Sequence, residues 1–345
     1  MNTLRRIIRN ELDISESDYS SLFSTAILER DNKSLLAAVL AALAAKPLNL
    51  NDVIHFVKFI EQQTPKRHLS VSARAVNIVG TGGGLATFNI STTATFVAAA
   101  SGATVIKSGS YSYNSQCGSL DLLNHMGFNI NQDEQSLERM LEELGIGFVS
   151  PKMYSPILRR MAISALPLTL RDLGGFINTV GPLLCPFHVR GQICGVRDFD
   201  FIDIFAQAFA ALGRGNSIVA WSEIGLDEFS AIGKSYFARV NSCIDREEIN
   251  PNDYGMHHTD LNQLAGGSPV INAAIMESVL KDPAPSAAKD TVVLNAAFLL
   301  LLAGTHNSLF DAVAHAQVTL ASGAAYRLLH QAIEFSHDCA AREIA

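Results

Sequence analysis

Residues 76–93 read VNIVGTGGGLATFNISTT. Val76 to Val79 is a short apolar run of strand type, and glycines end it at once. Glycines at 80, 82, 83 and 84 allow a sharp turn and let the backbone approach a ligand without side-chain obstruction. Asn89, Ser91 and Thr92 then supply amide and hydroxyl groups where a small-residue helix begins, about Ser91 to Ser101. Free N–H groups and the dipole at a helix start favour an anion. The segment therefore predicts a phosphate or pyrophosphate site, and a tight turn with an ordinary Ser/Thr cap is the alternative. Two common phosphate motifs do not fit. No G-x-x-x-x-G-K-[ST] occurs, and Leu85 stands where a dinucleotide fingerprint needs its third glycine.

Working outward, apolar runs at Thr104 to Lys107, Gly147 to Ser150, Gln192 to Val196 and Ser217 to Trp221 read as strands. Helical patterns at Leu120 to Met126, Leu137 to Leu144 and Phe201 to Leu212 lie between them. This alternation predicts an α/β fold with a mostly parallel sheet wrapped by helices. The text before residue 65 is helical. Ser34 to Lys46 is nearly all Ala and Leu, which favours helix. It is apolar all round, which predicts burial in a core or against a second subunit. Asn51 to Gln63 is a second helix with Asn51 as its N-cap. Thr64-Pro65 marks a hinge, and Ser155 to Pro186 interrupts the strand–helix rhythm with Gly/Pro-rich helical text. The expected organisation is a small helical domain, residues 1–65 with part of 155–187 packed on it, and a large α/β domain over 70–345.

Hydrophobic residues make up 48% and charged residues 17% of the 345, so the chain can bury a sizeable core and is not a disordered tail. A net charge of −7 with no basic run argues against general nucleic-acid binding. The five cysteines, Cys117, Cys185, Cys194, Cys243 and Cys339, are odd in number and lack C-x-x-C spacing, which predicts free thiols in a reducing compartment. No apolar stretch follows the basic residues of the N-terminus, so a cytoplasmic protein is expected. The most apolar segment, Val292 to Ala303 with Asn295 inside it, is too short to span a bilayer and predicts a buried helix.

The glycine segment and four others carry a family resemblance. GTGGGLATFNIST at 80–92 is similar to the G-T-G-G-D-G-x-x-T-F-N-I-S-T of the anthranilate phosphoribosyltransferase family. KSGSYSYNSQCGSLD at 107–121 stands where that family shows K-H-G-N-R, a serine-rich stretch and G-S-A-D. Gly181-Pro182-Leu183 and Gly225-Leu226-Asp227-Glu228 follow in the family order, and the text from Ile271 to Gly304 resembles its final helices. The resemblance implies a fold of the nucleoside phosphorylase and phosphoribosyltransferase type. It also implies Mg²⁺-dependent transfer of the phosphoribosyl group of phosphoribosyl pyrophosphate (PRPP) to an aromatic or heterocyclic acceptor, with release of pyrophosphate. Gly80, Thr81, Gly82, Gly83, Asn89, Ser91, Thr92, Lys107 and Ser119 would then meet PRPP, and Ser91, Asp227 and Glu228 the Mg²⁺. Ser108, Ser110, Tyr111, Arg171 and Gly181 would line the acceptor side. The family commonly dimerises through the helical domain. Independently of the resemblance, Lys107 ends a strand, where an α/β sheet binds ligands. An acidic pair suits Mg²⁺, although at a helix start it is on its own more often dipole complementation, and only the Gly-Leu-Asp-Glu match reverses that.

The departures cluster. The glycine turn is one residue short and lacks its Asp, and Asn77 replaces an acidic residue. Ser108, Ser110 and Tyr111 replace the His, Asn and Arg of the family motif. Ser155-Pro156 replaces His-Pro, and no arginine aligns with the one that follows the crossover helix; Arg171 is nearest. Most losses fall on the acceptor side, where a carboxylate would want a cation or a donor fork. The expectation is an acceptor other than anthranilate. The alternatives are anthranilate phosphoribosyltransferase of tryptophan biosynthesis, a non-catalytic paralogue that keeps the fold, and a pyrimidine-nucleoside phosphorylase.

Overall fold

The computed structural model describes residues 2–29, 32–111, 116–281 and 285–342, without the side chains of 170, 171 and 339–342. Seven strands form one sheet: β1 Ala75–Gly80, β2 Thr104–Lys107, β3 Ile146–Phe148, β4 Gly191–Gly195, β5 Ser217–Ser222, β6 Ser235–Val240 and β7 Ile244–Ile249. The order is β3-β2-β1-β4-β5-β6-β7. The first five are mutually parallel, and β5–β6 and β6–β7 are antiparallel. The sequence reading found the five parallel strands within two residues at each end. It missed the β6–β7 hairpin, because the exposed β7 reads Ile-Asp-Arg-Glu-Glu-Ile and carries no apolar alternation. Charges on that free edge discourage pairing with another chain.

Helices α1 Asn2–Ile8, α2 Glu16–Phe23, α3 Lys33–Ala45 and α4 Leu50–Gln63 precede the sheet. The N-cap of α4 is Asn49, whose Oδ1 accepts from the Asn51 N–H at 2.8 Å, and not Asn51 as the sequence suggested. Helix α3 is buried on one side only. Leu36, Val39, Leu40 and Leu43 enter the core, while Ala38, Ala41, Ala44 and Ala45 are exposed. Alanine reads as apolar in sequence yet has too little surface to force burial.

Helices α5 Ile90–Ala100, α6 Ser119–His125 and α7 Glu134–Leu144 follow β1, β2 and the segment before β3. The crossover contains α8 Pro156–Ser164, α9 Leu170–Leu173, α10 Gly175–Val180 and a tight turn over Gly181–Leu184. It packs back on the first helices: α3 touches α8, α9 and α10, α4 touches the 181–184 turn, and Thr64 Oγ1 lies 2.8 Å from Ser155 Oγ. Helix α11 Phe201–Ala211 joins β4 to β5. The chain ends in α12 Pro269–Lys281, α13 Ala287–Ala303, α14 Leu309–Ala321 and α15 Ala324–Arg342.

Strand alternation divides two cores across the sheet. Val76, Ile78, Ile193, Ile218 and Ala220 face α5 and α13, while Cys194, Val196 and Val219 face α11 and the N-terminal helices. Helix α13 is buried from Ala287 to Leu300, as its apolar text predicts. Among the described residues no helix is long and apolar enough to cross a membrane. Cys117, Cys185, Cys194 and Cys243 are free thiols; the side chain of Cys339 lies outside the described residues.

Candidate active site

The chain runs from β1 outward to β2 and β3, then returns to lay β4 on the other side of β1. The sheet therefore changes direction between β1 and β4, and α/β sheets bind ligands beyond the strand ends at such a point. The glycine turn leaves β1 there, and Val196-Arg197 leaves β4 beside it. Gly82 and Gly83 take φ of 64° and 85°, which only glycine adopts without strain. Thr81 N–H donates to the Gly195 carbonyl at 2.9 Å, and Thr81 Oγ1 accepts from the Arg197 N–H at 3.0 Å.

The acidic loop closes on this turn. Asp227 Oδ2 accepts from the Gly82 N–H at 2.7 Å, and Glu228 Oε1 accepts from the Ser91 N–H at 2.9 Å, at the start of α5. The Leu85 N–H donates to the Gly225 carbonyl at 3.0 Å. So the Gly82 and Ser91 donors, which could serve a phosphate, meet carboxylates. A Cβ on Gly195 would overlap the carbonyl oxygen of Asp227, so only glycine lets the two backbones meet. From behind, α13 grips the loop: Asn295 Oδ1 accepts from the Phe229 N–H at 3.2 Å, its Nδ2 donates to the Phe229 carbonyl at 2.7 Å, and Thr291 Oγ1 accepts from the Ala231 N–H at 3.0 Å.

Lys107 is buried, not solvated. Its Nζ donates to the carbonyls of Ile78 at 2.9 Å and Ser108 at 3.2 Å. Burial pushes the Lys107 ammonium down to about 8 against the opposing pull of Glu228 and Asp227. Burial likewise raises Asp227, and it pushes Glu228 up to about 8 with help from the neighbouring Asp227 charge. Thr92 Oγ1 is buried without a hydrogen-bond partner. Such an orphan at a helix start costs free energy unless a ligand completes it.

The remaining expected residues divide. The Asn89 side chain braces the loop, accepting from Asn272 Nδ2 at 2.8 Å and donating to the Cys117 carbonyl at 3.3 Å. Ser119 Oγ sits against Gly109, where a Cβ would strike it, so it lies beside the 107–110 segment. Ser108 is buried, and its hydroxyl accepts from Asn77 Nδ2 at 3.1 Å, so it turns into the protein and not toward an open pocket. Ser110 and Tyr111 are exposed. Gly181 lies in the turn after α10 with open space beyond its Cα. The side chain of Arg171 lies outside the described residues.

Sequence reasoning missed Arg197, whose side chain borders Gly83. The signal was available: it is the first basic residue after the strand that flanks the glycine strand. Asn295 is a lone amide in an apolar run, and its clamp on the acidic loop is the physical reason for it. Among the described residues no group of three His, Cys, Asp or Glu side chains could enclose a metal. Asp227 and Glu228 as a pair of oxygen donors fit a cation that keeps waters and shares substrate oxygens, as Mg²⁺ does.

Residues 72–326 match the glycosyl transferase family, a/b domain, so the chain is a glycosyltransferase by class. It is 35% identical over 298 residues to the anthranilate phosphoribosyltransferase of Anaeromyxobacter dehalogenans (strain 2CP-C), covering 86% of this chain and 87% of that protein. The crystal structure of anthranilate phosphoribosyltransferase from Thermus thermophilus superposes with a TM-score of 0.83 at 28% identity, over 98% of this chain and all of that one. The Saccharomyces cerevisiae enzyme in complex with PRPP and Mg shares the fold, with a TM-score of 0.80 at 22% identity over 98% and 97% of the two chains. The chain belongs to the anthranilate phosphoribosyltransferase family. The expected departure from anthranilate as acceptor finds no support among these relatives, which agree better with the alternative.

Because two backbones touch at Gly195, Gly195→Ala should displace the acidic loop. We expect the Gly82 and Leu85 amides, which bond Asp227 and Gly225, to exchange hydrogen about tenfold faster or more, with the rest of the sheet protected. Unchanged protection of both amides would show that the turn holds its shape without this contact.

Proposed function

We propose that the chain transfers the phosphoribosyl group of PRPP to the amine of anthranilate, using Mg²⁺ and releasing pyrophosphate. The observation that carries this reading is the pairing of Asp227 and Glu228 with the Gly82 and Ser91 N–H groups. Backbone donors able to hold a pyrophosphate and carboxylates able to hold its cation meet at one point of the sheet. Bound Mg²⁺ would offset charge growing on the leaving pyrophosphate. Asp227 and Glu228 would hold it. The N–H groups of the turn and of the α5 start, with the unpartnered Thr92 hydroxyl, would bind phosphate oxygens that the two carboxylates now displace. Lys107, beneath the turn, would add a fixed positive charge. An aryl amine is neutral at pH 7 and needs no strong base to attack.

Support for anthranilate comes from the relatives. A second reading, another aromatic acceptor, is favoured by one observation: Ser108 spends its hydroxyl on Asn77, and Ser110 and Tyr111 bring no charge to meet a carboxylate. Steady-state assays separate the two. Turnover of anthranilate with kcat/KM of about 10⁴ M⁻¹s⁻¹ or more supports the first. PRPP binding without such turnover supports the second, and no PRPP binding rejects both.

Asp227→Asn together with Glu228→Gln should abolish Mg²⁺-dependent turnover while the chain stays folded by circular dichroism. Activity that keeps its Mg²⁺ dependence in the double variant would remove the metal assignment.

The division near residue 65, a cytoplasmic location and a homodimer through the helical domain belong to the same proposal. The exposed alanine face of α3 supports the dimer, since flat small-residue surfaces let helices approach closely. Light scattering at micromolar concentration should give twice the chain mass; a monomer would reject it.

A further inference from the structure

We propose that Asn77 and Gln192 are positioning residues that act as one unit, tying the end of β2 to the Pro182 turn and so setting the acceptor side of the site. This rests on the transferase reading above. The strands give the reason. β1 and β2 pair at Ala75–Thr104 and Val76–Val105 only, and beyond that the two strands part, while β1 and β4 stay paired through Gly80–Gly195. The parting opens the crevice and leaves backbone groups of 107–110 without ladder partners on the β1 side. Alternation sends Val76 and Ile78 into the core under α5 and turns Asn77 to the other face, directly opposite Gln192 in the register.

There the side chains replace the missing ladder. Asn77 Oδ1 accepts from the Ser108 N–H at 3.0 Å. Asn77 Nδ2 donates to Ser108 Oγ at 3.1 Å and to Gln192 Oε1 at 3.4 Å. Gln192 Nε2 donates to the Pro182 carbonyl at 2.7 Å. The partly buried Tyr154 hydroxyl closes the far end by donating to the Gly109 carbonyl at 3.3 Å. Asn77, Ser108 and Gln192 are 0%, 3% and 4% exposed, so no water replaces a lost member. A buried amide whose partner vanishes keeps its desolvation penalty, and the segment must shift to recover it. The relay thus joins two chain segments, 107–110 and 181–184, through one side chain on β1 and one on β4. Neither amide need touch substrate. Both fix where the Ser108 backbone and the Pro182 turn stand relative to each other.

The test uses the full chain with Gln192→Met, which keeps side-chain volume and removes the amide, and Asn77→Asp, which keeps the acceptor for the Ser108 N–H and loses both donors. With anthranilate, PRPP and Mg²⁺, we expect Gln192→Met to raise the KM for anthranilate about tenfold while kcat and the KM for PRPP stay within about twofold. Asn77→Asp should give a smaller rise in the same constant. The double variant should be no worse than the more affected single one, because members of one network do not add. Hydrogen exchange on the free protein supplies a readout that needs no substrate: Gln192→Met should speed exchange at 107–110 as well as at 181–184. Faster exchange at 181–184 alone, or equal rises in both KM values, overturns the relay. If the unaltered chain turns over no anthranilate, the acceptor assignment falls, and the coupled exchange still decides for or against the relay.

Discussion

The site depends on how closely two backbones approach. The carbonyl of Asp227 occupies the space a side chain on Gly195 would need, and the Gly82 N–H then reaches the Asp227 carboxylate at 2.7 Å. Gly84 shows the same constraint, since a Cβ there would come within 2.6 Å of the Gly225 carbonyl. The glycine-rich text after β1 is thus required twice over. It frees the turn at Gly82 and Gly83 to take positive φ, and it admits the acidic loop to the strand end. Helix α13 completes the constraint from the core. Thr291 and Asn295 stand one helical turn apart on the same side and bond the backbone at 229–231. A helix that beyond its first turn is otherwise composed of Val, Leu, Ala and Phe thereby fixes the height of Asp227 and Glu228 above the sheet.

A parallel sheet gives this arrangement its opening. While β1 and β4 stay paired to the last residue, β1 and β2 separate after two pairs, and the gap is bridged by side chains. Lys107 reaches across to the Ile78 carbonyl, and Asn77 reaches back to the Ser108 N–H. Each bridge replaces a backbone hydrogen bond by one from a longer arm, so the strands stand apart without orphaned groups. A crevice can then exist in a sheet that is buried on both faces.

Much of this was legible in the text. Five short apolar runs with helices between them gave the parallel core, and the glycines after Val79 marked the strand end where a ligand belongs. The match of Gly225-Leu226-Asp227-Glu228 to a family segment brought the acidic pair to the site from more than a hundred residues away, a distance that periodicity cannot bridge. What stayed hidden was direction and depth. Ser108 looked like a pocket residue because it follows Lys107, yet whether its hydroxyl faces the crevice or the core is decided by Asn77 on another strand. Helix α3 is apolar by hydropathy on every face, yet within one chain only the side of Leu36, Val39, Leu40 and Leu43 is covered. The strand β7 shows no apolar alternation, because five of its six residues are exposed and most are charged. Arg197 carries no motif of its own and owes its place beside Gly83 to the adjacency of β4 and β1, which only the topology supplies.

Lys107 is buried, and Asp227 and Glu228 stand half-buried at the same end of the sheet; stability alone does not account for them. Burial works against the charge on every one, lowering the lysine and raising both acids. No ion pair within 4.0 Å joins the lysine to either carboxylate among the salt bridges of the described residues. A well-packed apolar trio would avoid the desolvation penalty altogether. The rest of the structure is what sustains the arrangement: two backbone N–H groups on the carboxylates, two carbonyls on the ammonium, and the amide clamp of α13 behind the loop. Titratable groups held against their solvation preference, at the point where a parallel sheet changes direction, are the mark of a site built for a charged ligand. A pyrophosphate with its cation would bring charges of the kind that these groups, half-buried or buried, are held to meet.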